Sequence, residues 1–513
     1  MLQKNLRLKK KQNSLIKALA LFVIFTGIAN AQLFKDPLLL KGLEKGYNFH
    51  FEEAGEIFDS YTESNSNSLK GQFLKTKLKL WKFVGSRSNE AFTDFSNSNE
   101  ILINELDQKL DDDPDNIALN YMIASSYTSK TIALSTNYQI VDAFWAAKKA
   151  MSYLEDLIDD HPDVVEPYLE QGILTYALSY VEGVATVALT LSGMDADKEK
   201  GLELLLKAST GNLYCKVEAS FYLSQVLSEY IADYQGAIDY LLPVSEKFPD
   251  NILFAFQLAV LHTKNNELEM AGILLDKIIS GDKEVFPQTR AFSNFLKGDL
   301  LLKKGDYAES AKYFEEFLAK SNDVNFSSKA YYNIALCHMF LGNKYAVQKN
   351  LASTNLGNLE NGDDKFARRR SQLLQNSGYN SDIIKLLRVE IILTCSLFDK
   401  AENVLTTINY NNLSGDFKSV YNIFKAEILL GKGKFPEFYK LAALVLNTDI
   451  EEESWVIAKA NLLIAEMYFE QKNYAKCDEF LDEAEDENEY DFVAVISGRI
   501  NKTRLALKNR NYR

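Results

Sequence analysis

The stretch from Glu218 to Val285 constrains the fold more than any other part of this chain, because it carries the same helical hairpin twice in one register. Pro249 closes one unit. Counting on a period of about 34 residues, Ala237, Leu241 and Val244 take the small, large and small positions of a second helix, with Tyr234 on the aromatic position ahead of them. The pattern restarts after Pro249-Asp250-Asn251 and places Leu258, Ala259, Ala271, Leu275 and Ile278 in the equivalent slots. Small residues suit points where two helices cross closely, and the leucines fill the gap to the next hairpin. One hairpin cannot bury its own apolar face, so neighbours must stack. The expected fold is all-α, a right-handed solenoid of helical hairpins.

The same template recurs along the chain. Leu38, Gly42, Phe51, Ala54 and Phe58 fit a first hairpin, and Ser60 to Ser68 reads as a polar connection. Helical patterns run from Leu69 to Leu110 and end in Asp111-Asp112-Asp113-Pro114-Asp115. That run lacks the glycine and the distal bidentate Glu of a calcium loop, so it reads as a solvated turn with Asp as a helix cap. Ala124, Tyr127, Ala150, Leu154, Leu157 and Pro162 mark the next unit. Ile173 to Leu191 is an almost uncharged helical run whose one ionisable group is Glu182. Its Thr and Ser and its unbiased flanks favour a buried central helix over a membrane span. Gly201, Leu205 and Ala208 mark its return helix, Asp197 to Ser209.

Farther on, Gly305-Asp306-Tyr307 is the turn of another hairpin, and Tyr331, Ala335 and Gly342 mark the next. Asn350 to Asp364, rich in Asn and Gly, is predicted to be a loop and the best internal boundary. Three degenerate units follow, recognised by Phe398 and Ala401, by Gly433 and Phe435, and by Tyr474, Cys477 and Leu481. A capping helix is expected from Phe492 to Lys508. The predicted organisation is therefore a leader at 1–31, a first array at 32–349, the loop at 350–364, and a second array with its cap at 365–513.

The leader is different in kind. Lys4, Arg7, Lys9, Lys10, Lys11 and Lys17 precede an apolar run from Ala18 to Ala29, and Ala29-Asn30-Ala31 supplies a small-residue cleavage signature. This predicts an export signal cut before Gln32, no transmembrane span in the mature chain, and a periplasmic or envelope location if the source is bacterial. Removing the leader takes six of the 57 basic residues and none of the 71 acidic ones, leaving a net charge near −20. So acidic a surface repels phosphate backbones and argues against nucleic-acid binding. Cys337, Cys395 and Cys477 lie in apolar helical patterns and read as small buried hydrophobes, with the possibility of a bridge left open.

Residues for catalysis are not grouped in the sequence. His50, His161, His262 and His338 are scattered, and no phosphate loop, nucleophile elbow, paired-cysteine zinc spacing or HExxH helix is present. The expectation is no enzyme, no cofactor and no metal. Arg368-Arg369-Arg370 reads as a helix start paired with local acids rather than an anion grip. With the register set, position 5 of successive first helices gives Tyr222, Phe256, Phe295 and Tyr332, with Leu253 and Phe292 at position 2. These aromatics either line an exposed groove and bind a partner or fold back onto their own second helices.

The 34-residue template is that of the tetratricopeptide repeat. Within it, "SGMDADKEKGLELLLKAS" from Ser192 to Ser209, "EKFPDN", "DKFARRR" from Asp364 to Arg370 and "YDFVAVISGRINKTRLALKN" resemble the family of tetratricopeptide repeat protein 39 and its fungal relatives, the inclusion-body clearance proteins. The resemblance implies a helical scaffold without known catalytic residues that acts through protein partners and, in the fungal branch, near lipid droplets. The export signal departs from that family. The function expected is an exported, non-enzymatic scaffold that binds a protein or peptide on its concave surface. The alternative is a carrier of a lipid or other apolar small molecule.

Overall fold

The computed structural model describes residues 33–180, 194, 196–281, 286–413 and 415–511, and the regular structure among them is helical throughout. Hairpins pair α1 (Pro37–Tyr47) with α2 (Phe51–Ser64), α3 (Lys70–Ser86) with α4 (Asn89–Asp112), α5 (Ile117–Thr136) with α6 (Ile140–Asp160), and α7 (Glu166–Leu178) with α8 (Lys198–Ala208). Next come α9 (Leu213–Tyr230) with α10 (Tyr234–Lys247), α11 (Ile252–Lys264) with α12 (Leu268–Ser280), α13 (Pro287–Lys304) with α14 (Tyr307–Lys320), and α15 (Ser327–Leu341) with α16 (Lys344–Ser353). The single helix α17 (Gly362–Ser377) packs against α15. After it α18 (Ser381–Thr394) pairs with α19 (Phe398–Leu405), α20 (Phe417–Gly431) with α21 (Phe435–Leu446), and α22 (Trp455–Glu470) with α23 (Tyr474–Asp486). Helix α24 (Val493–Asn511) closes the series.

Short polar side chains start many of these helices by satisfying amides that have no partner inside the helix. Asp36 accepts from Leu38 N–H, Asn116 from Leu119, Asn212 from Cys215, and Asn251 from Leu253 and Phe254. The acidic turn at 111–115 thus ends on an asparagine cap, not an aspartate one, and Asn116 in turn donates to Asp113 at 2.8 Å. The register read at 218–285 holds: Ala237, Leu241, Val244, Leu258, Ala259, Ala271, Leu275 and Ile278 are all buried. Each of the two leucines contributes on the order of 1.5–3 kcal/mol by leaving water. At the α7–α8 crossing the backbones themselves approach. A Cβ on Gly201 would lie 2.9 Å from Tyr176 N, and one on Gly172 would lie 3.0 Å from Leu205 N.

The array coils until distant repeats touch. Phe286, ahead of α13, meets Phe49 at 4.9 Å and Phe51 at 6.2 Å between ring centroids. Helix α24 caps the last hairpin through buried Ile496 and Ile500, and it also docks on the middle of the chain. Asn501 donates to Tyr230 O at 3.0 Å, Lys502 to Ala232 O at 3.3 Å, and Lys508 pairs with Glu199 at 2.6 Å. These returns join the end of the chain to its middle and the α13 entry to the first hairpin.

Three expectations need adjustment. Helix α7 ends at Leu178, short of the predicted Leu191, and residues 181–193 with Glu182 lie outside the described residues. The predicted loop at 350–364 is shorter, because α16 runs to Ser353, a 3-10 turn covers Thr354–Leu356, and Asn361 caps α17. Asn350 serves the helix by donating to Ala346 O, so its polarity does not signal a break. One apolar core also continues across the stretch from Tyr332 to Met467. The export segment and its cut before Gln32 lie outside the described residues.

Candidate functional site

First helices of the early hairpins face one another across a closed, polar interior. Glu170 on α7 is fully buried, and its Oε1 accepts from Lys77 of α3 and from the hydroxyls of Tyr121 and Tyr214 at 3.2 Å each, and from Ser125 of α5. Its Oε2 is buried without a hydrogen-bond partner. Glu218 on α9 accepts from Trp81 Nε1 at 3.0 Å and Tyr47 Oη at 3.3 Å. Burial pushes the Glu218 carboxyl above its usual range, against the opposing pull of Lys77. The Tyr121 and Tyr214 hydroxyls rise well above theirs, chiefly through burial.

The segment ahead of α1 runs into this interior. The Phe34 ring is 1 % exposed and stacks on Phe73 at 5.5 Å, with Tyr214 at 5.4 Å and Tyr121 at 6.0 Å around it. Leu33 N–H donates to Glu166 Oε1 at 2.9 Å, and Lys70 Nζ donates to Leu33 O at 2.7 Å. Asn212 also donates to Glu166 Oε1 at 2.8 Å. Burial raises the Glu166 carboxyl despite these bonds.

A second charged knot joins α17 to the last hairpins. Arg370 is fully buried and reaches Glu390 at 3.0 Å and Glu453 at 2.7 Å. Arg369 donates to Glu453 at 3.0 Å and to Asp491 at 2.9 Å through Nε. The acids are thus remote in sequence, where local ones were expected. Guanidiniums sunk in such pairs tie three elements together and are not presented to a ligand.

The five aromatics proposed for partner binding do not form one stripe. Phe295 packs against Phe314 at 5.3 Å and Phe317 at 5.2 Å, and Phe292 against Phe317 at 5.4 Å, so both rings fold onto their own second helix. Tyr332 is only 3 % exposed and meets Phe366 at 5.8 Å inside the core, which removes it from any open groove. The reason is that α13–α15 and α17 pack tightly enough to close over these positions. Tyr222 and Phe256, on α9 and α11, remain half-buried. Leu253 is likewise half-buried against the main core.

Sequence reasoning missed the interior acids and the Leu33–Phe34 insertion. The available signal was the pair Glu166 and Glu170, one turn apart at the start of a helix that is otherwise mostly apolar. Among the described residues no group of three or more His, Cys, Asp or Glu stands close enough to hold a metal ion, and no helix is long and apolar enough to cross a membrane. His262 Nδ1 lies 2.6 Å from Glu267, and Cys215, Cys337, Cys395 and Cys477 are all free and buried.

Residues 169–376 match the model of the family Iml2/Tetratricopeptide repeat protein 39, a span that runs from within α7 into α17. The chain has the hairpin architecture of a tetratricopeptide-repeat protein, and over residues 169–376 it is similar to the tetratricopeptide repeat protein 39 family. Repeat proteins of this kind are typically non-catalytic scaffolds. No curated protein matches the chain. Solved tetratricopeptide-repeat structures align along most of it at low identity. Yeast Tom70 is 13% identical over 92% of this chain and 96% of its own, with a TM-score of 0.29. The P58(IPK) TPR domain is 15% identical over 76% and 99%, with a TM-score of 0.22. The human IFIT1 dimer with PPP-AAAA is 10% identical over 87% and 93%, with a TM-score of 0.31. Likenesses this distant decide nothing further.

Proposed function

We propose that this tetratricopeptide-repeat chain is an exported, non-enzymatic scaffold that holds a protein or peptide partner on the inner side of its first helices. The observation that supports this reading most is the interior of α3, α5, α7 and α9, where aromatic rings and fixed carboxylates surround a short piece of main chain as a peptide site would. Tyr222 lies about two turns along α9 from Tyr214 and extends the same inner face toward Phe256. Export rests on the basic, apolar and Ala-Asn-Ala order of the first 31 residues, and in a bacterial source the scaffold would work in the periplasm or at the envelope. Intact mass of the native protein should show residues 1–31 removed, and their retention would withdraw the export reading.

The alternative is a carrier of a lipid or other apolar small molecule. One experiment separates the two: tagged chain purified from its native envelope is analysed for bound protein and, after solvent extraction, for bound lipid. A protein that co-elutes in stoichiometric amount supports the scaffold. Stoichiometric lipid with no protein partner would replace the scaffold reading with the carrier.

A further inference from the structure

We infer that the pocket between α3, α5, α7 and α9 is a binding site for an extended peptide with an aromatic side chain following an apolar one, and that Leu33–Phe34 occupies it in cis. This deepens the scaffold reading and rests on it. The pocket recognises its occupant as peptide sites do: Glu166 takes the main-chain N–H, Lys70 caps the carbonyl of the same residue, and Phe73, Tyr121 and Tyr214 box the next side chain. Main-chain contacts hold any peptide, and the box selects the ring.

The walls have anchors of their own besides the occupant. Tyr121 and Tyr214 are anchored through their hydroxyls to Glu170, which Lys77 and Ser125 also hold. Asn212 holds Glu166 with its amide nitrogen and caps α9 with its amide oxygen. The occupant lies outside the helices, tied by two main-chain hydrogen bonds and the ring contacts of Phe34. Lys35 and Asp36 are exposed, and Asp36 starts α1 by capping Leu38, so the helix does not depend on the two buried residues before it. Lys70 also lines an open polar cavity of about 440 Å³ with Asn67, Ser68, Lys109 and Asp112, which gives a longer peptide room to continue. A partner segment of the same chemistry would therefore compete with Leu33–Phe34 for one site.

The test uses the full chain and a fluorescein-labelled, amidated tetrapeptide Leu-Phe-Lys-Asp, with its scrambled form as control. Phe34→Ala should bind the tetrapeptide at least tenfold more tightly than the unaltered chain does. Adding Glu166→Gln or Lys70→Met to Phe34→Ala should reverse most of that gain, and the scrambled peptide should bind neither protein. A folded Phe34→Ala chain that binds no more tightly than the unaltered one overturns the inference. If Phe34→Ala does not fold, hydrogen exchange on the unaltered chain decides. Millimolar tetrapeptide should speed exchange in the segment from Leu33 to Leu40, and an unchanged rate overturns the inference. A captured natural partner that binds equally well to unaltered and Phe34→Ala chains would sink this site while leaving the scaffold reading intact.

Discussion

Glu453→Gln tests the charged knot that ties α17 to the end of the chain. Glu453 is fully buried, with Arg370 at 2.7 Å, Arg369 at 3.0 Å and the Trp455 indole on its two oxygens. Glutamine keeps the shape and one acceptor but removes the charge that offsets two buried guanidiniums. Removing one partner of a buried ion pair costs about 3–5 kcal/mol, because the remaining charge stays desolvated. Arg369 keeps Asp491 and Arg370 keeps Glu390, so the lower end, about 3 kcal/mol, is expected. Urea unfolding followed by circular dichroism reads this as a lower midpoint at unchanged slope. Arg370→Met should cost a similar amount, and the double variant should cost less than the two together, since neighbours in one network are not additive. A Glu453→Gln midpoint within about 0.5 kcal/mol of the unaltered chain, the range of an ordinary surface substitution, would refute the reasoning.

Other expectations follow from the packing and the buried acids. Ala237→Leu or Ala271→Leu, both at fully buried positions, should cost about 1–3 kcal/mol by overpacking a close crossing, which unfolding midpoints will show. Phe295→Ser should lower the melting temperature because its ring packs on Phe314 and Phe317; an unchanged value would return Phe295 to the groove. Two opposed pH effects are expected. Glu166 and Glu218 are raised by burial, so their stabilising contribution is full below the ordinary 4.5 and is lost as pH rises through the raised values. Burial would raise Glu453 too, but Arg370 and Arg369 outweigh it and hold the carboxyl below 4.5; its contribution is full above that point and is lost as pH falls through the depressed value. Stability should therefore peak at mildly acidic pH, and Glu218→Gln should flatten the neutral side of the profile.

Much of the fold was legible because the repeat template prescribes both a period and a size at each slot. Ala237, Leu241, Ala271 and Leu275 announce helix crossings whatever surrounds them. Long-range closure was not legible: nothing local in α24 says that Asn501 will reach Tyr230, or that Gly498 lets the helix approach α9. The same holds for the candidate site. Tyr222 and Phe256 follow from the register alone, but Phe292, Phe295 and Tyr332 were decided by how tightly α13, α14, α15 and α17 close. The interior pocket draws a few residues from each of several helices, so no single window contains it. Phe34 stands outside any helix, where periodicity has nothing to say.

The central claim, that the inner side of the first helices binds a protein or peptide partner, is tested most directly by calorimetric titration of the captured partner into the Tyr222→Ser, Phe256→Ser double variant. The account predicts that binding is lost while the helical circular dichroism is kept and the melting temperature stays nearly unchanged. Unchanged affinity in a folded double variant would contradict it.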